Sequence, residues 1–321
     1  MPDRFELLRR RFIQGTPQMM DIGLEATRLE TNRASMSMPP RPDWMGDPAR
    51  DLMHPGAITV LADSCCGLAV ATALETQVTF ATLDLRMDYL RPASPSRTTY
   101  CDAQCYRISR SVAFVRAEVH QGDPNEPVAA AQAAFMLSTP SGAKRPALEA
   151  GATPTGAPDV HTSPGAAPAP RRVESPAQAT WRPPATSEPA MPHGVIPYLD
   201  YLGIRVAPDP DNPIFRLPFD PKLVGNPFLP ALHGGVLAGF AETAAILHLN
   251  QTLRGEKLPK GIDFSLDYLR GGRPEETFAS CDVVRRGNRV ALVQVRLWQR
   301  QPETPIAVAR AHCLLTTADG V

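Results

Sequence analysis

Met53–Val70 reads MHPGAITVLADSCCGLAV, and Leu232–Leu249 reads LHGGVLAGFAETAAILHL. Each stretch predicts an apolar helix that opens just after a histidine, His54 or His233, and carries one carboxylate nine residues beyond it, Asp63 or Glu242. An acid inside an apolar helix is poorly solvated and is expensive to keep there without a purpose. The two copies differ at one telling place: the residue after the histidine is Pro55 in the first and Gly234 in the second.

The repetition extends well beyond this helix. LDLRMDYLRP (83–92) returns as IDFSLDYLRG (262–271), SRSVAFVRAEVH (109–120) as GNRVALVQVRLW (287–298), and VAAAQAAFML (128–137) as IAVARAHCLL (306–315). Upstream, TPQMMDIGLE (16–25) matches IPYLDYLGIR (196–205). The pairs keep their order with an almost constant offset, so the chain is two copies of one domain, and the period is far too long for a solenoid. The expected division is a first domain over 1–139, a linker over 140–190 and a second domain over 191–321. The linker is rich in Pro, Ala, Gly, Ser and Thr, a composition that cannot offset its ordering entropy by burial and predicts disorder or polyproline-like chain.

Within each copy the order is a strand, a loop, the helix, then three or four long strands. In RVALVQVRLW, Ala291, Val293, Val295 and Leu297 alternate with mostly polar residues. That period of two predicts an antiparallel sheet with one covered face. The fold class is α+β.

Composition narrows the partners. With 33 basic and 33 acidic residues the net charge is zero, which gives no electrostatic reason to expect nucleic acid or an anionic membrane. Six cysteines show no C-x-x-C pair or zinc spacing, and neither His54 nor His233 has a second histidine or acid at metal-ligand spacing. No uninterrupted apolar run reaches the length of a membrane span, and nothing near Met1 reads as a secretory signal. Free thiols in a cytoplasmic protein are expected. Phe5, Leu8 and Phe12 share a helical face and predict a short amphipathic helix lying on the first domain.

The HGG that opens the second helix, the acid nine residues after the histidine and the following D-x-x-x-x-Y-L-R strand, twice over in one chain, resemble the hotdog fold. More narrowly they resemble the PaaI-like acyl-CoA thioesterases, arranged as a tandem double hotdog. The resemblance implies that the two halves pair as a pseudo-dimer with joined sheets and antiparallel helices, and such proteins often assemble further. It implies hydrolysis of acyl-CoA without a cofactor or metal. A backbone N–H just after the histidine would polarise the thioester carbonyl, and the helical carboxylate would attack or activate water. It also assigns a hydroxyl two positions before the strand aspartate, Thr82 in copy one but replaced by Gly261 in copy two, to the attacking water, and an asparagine ahead of the histidine, Asn226, to the thioester oxygen. His54, His233 and Gly235 complete the substrate-binding set.

Spacing then decides which parts cooperate. Gly234 and Glu242 are eight residues apart on one helix, about 12 Å along its axis. Acid and donor must both lie within about 3 Å of the reacting group, so each site takes its N–H from one copy and its acid from the other. Pro55 has no N–H. The complete set is therefore Asp63 and Thr82 facing Gly234, while Glu242 faces Pro55 in a degenerate site. A non-catalytic acyl-CoA sensor, in which both sites have decayed, is the alternative; a hotdog dehydratase is disfavoured because Asn226-Pro227 lacks the D-x-N-P-x-H spacing.

Overall fold

The computed structural model describes residues 4–75, 78–138, 183, 187–191, 194–207, 213–226, 230–254 and 258–316. Most of the expected linker lies outside the described residues.

Two short helices lead the chain, α1 (Arg4–Leu8) and, after a π-helical turn over Arg9–Gln14, α2 (Pro17–Asp21). The first half continues with β1 (Glu25–Glu30), β2 (Arg33–Met38), the ribbon β3–β4 (Met45–Asp47, Leu52–Met53), helix α3 (Pro55–Ala73), and β5 (Phe80–Tyr89), β6 (Thr99–Ile108), β7 (Val112–His120) and β8 (Ala129–Leu137). The second half repeats this plan. It runs through β9 (Glu188–Pro189), α4 (Pro197–Leu202), β10 (Arg205–Ala207), β11 (Ile214–Leu217), the ribbon β12–β13 (Val224–Asn226, Ala231–Leu232) and helix α5 (Gly234–Leu253). It ends with β14 (Leu258–Tyr268), β15 (Thr277–Arg286), β16 (Val290–Trp298) and β17 (Ala307–Thr316).

Each half is a hotdog: an antiparallel sheet packed on one long central helix. The two sheets join into one of thirteen strands, ordered β1-β2-β6-β7-β8-β5-β14-β17-β16-β15-β11-β10-β9. The seam is the antiparallel pair β5–β14, where Asp84 faces Asp267 and Asp88 faces Asp263. Covalent linkage thus makes the pseudo-dimer. Ser187–Met191 correct the expected linker boundary: Ala190 N–H donates to Ile204 O at 3.0 Å, and Glu188 and Pro189 pair with β10. An unpaired sheet edge recruits whatever extended chain lies beside it, so this stretch belongs to the second domain.

The central helices are apolar around their whole circumference because they are buried around it. In α3 every residue from Gly56 to Thr72 is buried. By length and hydropathy α3 could cross a membrane, but it is packed inside the fold. The alternation read from β16 holds, with Ala291, Val293, Val295 and Leu297 fully buried. Helices α3 and α5 run antiparallel and touch through glycine. A Cβ on Gly56 would stand 3.0 Å from the Gly239 Cα, and one on Gly235 would stand 2.8 Å from the Val60 Cα. Only residues without a side chain allow that approach. All six cysteines are free and buried.

Candidate functional site

Antiparallel packing carries the acid of each central helix to the first turn of the other. At the start of α5, His233 is the N-cap, and its Nδ1 accepts the Gly235 N–H at 3.0 Å. The same N–H donates to Asp63 Oδ2 at 2.7 Å. The other carboxylate oxygen, Oδ1, accepts the Thr82 hydroxyl at 3.1 Å. Asp63 is buried, 5 % exposed, and sits where the helix N-terminus offers unpaired donors and partial positive charge.

Gly234 is the hub of this cluster. A Cβ there would lie 3.0 Å from Asp63 Oδ2, 3.3 Å from the Tyr268 hydroxyl and 3.4 Å from Thr82 Oγ1. As the first residue of the helix, Gly234 has an N–H with no intrahelical acceptor. The Tyr268 hydroxyl donates to Gly234 O at 2.7 Å, and burial pushes its pKa well up, so it stays a donor. That bond ties the helix entrance to β14.

His233 has both ring nitrogens occupied. Nδ1 accepts from Gly235, and Nε2 lies 3.2 Å from Ser64 Oγ, whose own hydroxyl donates to Val60 O at 2.8 Å. This network fixes the tautomer, with the ring proton on Nε2. Burial lowers the ring's pKa despite the nearby Asp63 carboxylate; the ring is neutral, and its 3.4 Å approach to Asp63 is no ion pair. Its geometry suits a cap that shapes the turn better than a general base. Asn226 ends β12, half-buried and paired with Ala231, on the ribbon whose Gly225 lies against His233.

The pseudo-symmetric position is built differently. His54 caps α3 through Gly56 N–H to Nδ1 at 3.0 Å, and desolvation lowers its pKa to about 3. Its ring stacks on Tyr198 of α4 at 4.4 Å. Pro55 offers no N–H. Glu242 Oε2 accepts hydrogen bonds from the Tyr89 hydroxyl at 2.8 Å and from Thr59 Oγ1 at 3.3 Å. Burial nevertheless pushes Glu242 up to about 8, against those two bonds, which pull it down. At neutral pH it is mostly the protonated acid. Gly261, at the place of Thr82, leaves room for the Tyr89 ring, which a Cβ would meet at 3.2 Å. The longer acid and the missing side chain thus fit one another.

Sequence reasoning brings Asp63, Thr82, Gly234, Gly235 and His233 to one place, and the structure gathers them there; His54 and Glu242 gather at the other. Tyr268, Ser64, Tyr198 and Thr59 join these two clusters as well. Tyr268 was visible as a tyrosine recurring with Tyr89, but its reach to Gly234 O depends on strand register. Ser64 and Tyr198 carried no signal, because their partners belong to the other half of the chain.

The description "Thioesterase superfamily" matches the sequence twice, over residues 51–128 and 229–306. The chain is 30 % identical over 139 residues to a medium/long-chain acyl-CoA thioesterase, YigI, of Salmonella typhimurium, covering 39 % of this chain and 88 % of that protein. Among solved structures it resembles a thioesterase-like protein of Novosphingobium aromaticivorans, with TM-score 0.58, 17 % identity and coverage of 91 % of this chain and 98 % of that one. It also resembles the acyl-CoA thioesterase II TesB2 of Mycobacterium marinum, with TM-score 0.50, 14 % identity and 92 % and 96 % coverage; these two likenesses speak for the fold. The repeated motif, the paired hotdogs and the matched relatives converge: the chain belongs to the thioesterase superfamily and is a thioester hydrolase.

Proposed function

We propose that the enzyme hydrolyses acyl-CoA to a carboxylic acid and CoA at a single site between its halves, formed by Asp63 and Thr82 of the first and Gly234 and Gly235 of the second. The observation that carries this reading is the 2.7 Å hydrogen bond from Gly235 N–H to Asp63 Oδ2, which sets the acid beside the first turn of α5.

The Gly234 N–H polarises the thioester carbonyl and stabilises the oxyanion that develops on it. Both oxygens of Asp63 are engaged by donors, which favours a base over a direct nucleophile. Asp63 takes a proton from a water held with Thr82, the resulting oxygen adds to the carbonyl carbon, and the C–S bond breaks. The thiolate leaves and is protonated as CoA. His233 shapes the turn, and Asn226 contacts the thioester side. The Glu242 position, with Pro55 opposite and its acid mostly protonated, is inactive. Buried free thiols agree with a cytoplasmic enzyme. The medium/long-chain activity named for YigI directs the first choice of substrates.

The test is thiol release from acyl-CoAs of graded length, by wild type, Asp63→Asn and Glu242→Gln. Loss of a general base lowers kcat by about 10²- to 10⁴-fold, so Asp63→Asn is expected to be nearly inactive and Glu242→Gln to retain activity. A dead Glu242→Gln beside an active Asp63→Asn reverses the assignment of the two sites. A wild type that binds acyl-CoA and releases no thiol overturns the hydrolase reading in favour of a sensor.

A further inference from the structure

The face of α3 that carries Asp63 continues to Gly67, one turn further on and about 6 Å along the axis. A glycine in mid-helix is less favourable than alanine by about 1 kcal/mol, and the second half has Ile246 at the corresponding place. What Gly67 makes room for is the Phe12 ring: a Cβ there would stand 3.1 Å from Phe12 Cζ, while Phe80 Cε2 at 3.7 Å and Phe135 Cε1 at 3.8 Å would be in ordinary contact. These rings pack together, Phe12 stacked on Phe80 at 6.3 Å and Phe80 edge-on to Phe135 at 5.8 Å.

The same rings begin at the proposed reaction centre. Thr82, which holds Asp63, is paired in register with Phe135, and Phe80 lies two residues before Thr82 on the same side of β5. The second half has Cys313 opposite Gly261 and Pro259 two residues before it. The aromatic wall therefore belongs to the Asp63 side alone. Of its three rings, Phe135 is buried within the sheet, whereas Phe12 is half-buried and rides on the leading segment. That segment is fastened near the other end of α3, where the Arg4 guanidinium donates to Thr72 O at 3.0 Å and to Leu74 O.

We propose that Phe12, seated on Gly67, is the adjustable end-wall for the acyl chain and sets the length of chain the enzyme accepts. The inference rests on the acyl-CoA reading above. An acyl tail leaving the carbonyl at Asp63 runs along α3 between the helix and the Phe80–Phe135 wall. Gly67 leaves the helix surface low along that path. A longer tail must push the Phe12 ring aside, which the peripheral segment permits and a strand residue would not.

The experiment measures binding of non-hydrolysable S-alkyl-CoA thioethers from butyl to hexadecyl, alongside kcat/KM for the matching acyl-CoAs. It uses wild type, Phe12→Ala, Phe12→Trp and Gly67→Ile in the full chain, with thermal melts as the folding control. Phe12→Ala is expected to raise the long-to-short ratio of affinities at least fivefold, with the kinetic change in KM more than in kcat. Gly67→Ile and Phe12→Trp are expected to lower it by a similar factor; the tryptophan variant carries this direction should Gly67→Ile fail to fold. Unaltered ratios, or equal effects on short and long chains, overturn the end-wall. A shifted thioether ladder without any thiol release leaves the end-wall standing and removes the hydrolase reading instead.

Discussion

Gly235 of α5 lies against Val60 of α3, so closely that a Cβ on the glycine would stand 2.8 Å from the Val60 Cα and 3.2 Å from the Asp63 Cβ. The obstacle is backbone and cannot swing away. Gly235→Ala must separate the helices, an overpacking penalty of about 1–3 kcal/mol. It also carries the Gly235 N–H away from Asp63. A lower melting temperature together with reduced thiol release is expected, and an unchanged melting curve contradicts this account of the helix contact.

Gly234 and Pro55 occupy the same first-turn position in the two halves. Proline is tolerated there because the first helical N–H has no intrahelical acceptor, and His233 already has the extended conformation (ψ 132°) that precedes proline comfortably. Gly234→Pro should therefore keep the helix while losing the proposed oxyanion donor and setting a Cβ 3.0 Å from Asp63 Oδ2, with kcat lower by at least about 10²- to 10³-fold. Circular dichroism and single-turnover kinetics together check this; retained kcat would place the donor elsewhere.

Glu242 ties stability to pH. Its folded pKa is raised from 4.5 to about 8, so between those values the folded state binds more protons than the unfolded one. Stability then falls as pH rises. The contribution is complete below 4.5 and lost as the pH passes through about 8. Glu242→Gln should flatten that part of the curve, read as melting temperature against pH for both proteins. Parallel curves would mean that Glu242 is ionised in the fold.

Thr82 donates to Asp63 Oδ1 at 3.1 Å. A hydrogen bond to a charged group is worth about 1.5–3 kcal/mol, so Thr82→Val should lower kcat by roughly ten- to a hundredfold, and Thr82→Ser should restore most of it. Equal activity in both variants would assign the threonine to packing alone.

Much of this architecture is written locally. Helix α3 declares itself through a long apolar run after a histidine cap, and β16 through the alternation of Ala291, Val293, Val295 and Leu297 with mostly polar neighbours, because burial on all sides or on one side imposes those patterns directly. Asp63 and Gly234 are legible as neighbours in two steps: the resemblance implies an acid and an N–H donor, and the fixed rise of a helix places the two on different copies. Tyr198 was not legible. It stacks on His54, yet its match in the first half is Gln18, and no pattern within either copy says that α4 will cross to the other copy's cap.

The sequence by itself determined a duplicated α+β chain with two acid-bearing helices, and a proline that removes the donor from one of them. Those are properties of covalent chemistry and of period, which survive without neighbours. Tertiary structure alone decided that Gly235 shares its N–H between His233 and Asp63, that Tyr89 and Thr59 hold Glu242, and that Phe12 comes to rest on Gly67. Each of these contacts joins residues distant in the chain, through helix crossing and strand register, and side-chain contacts of that kind are settled only when the whole core packs at once.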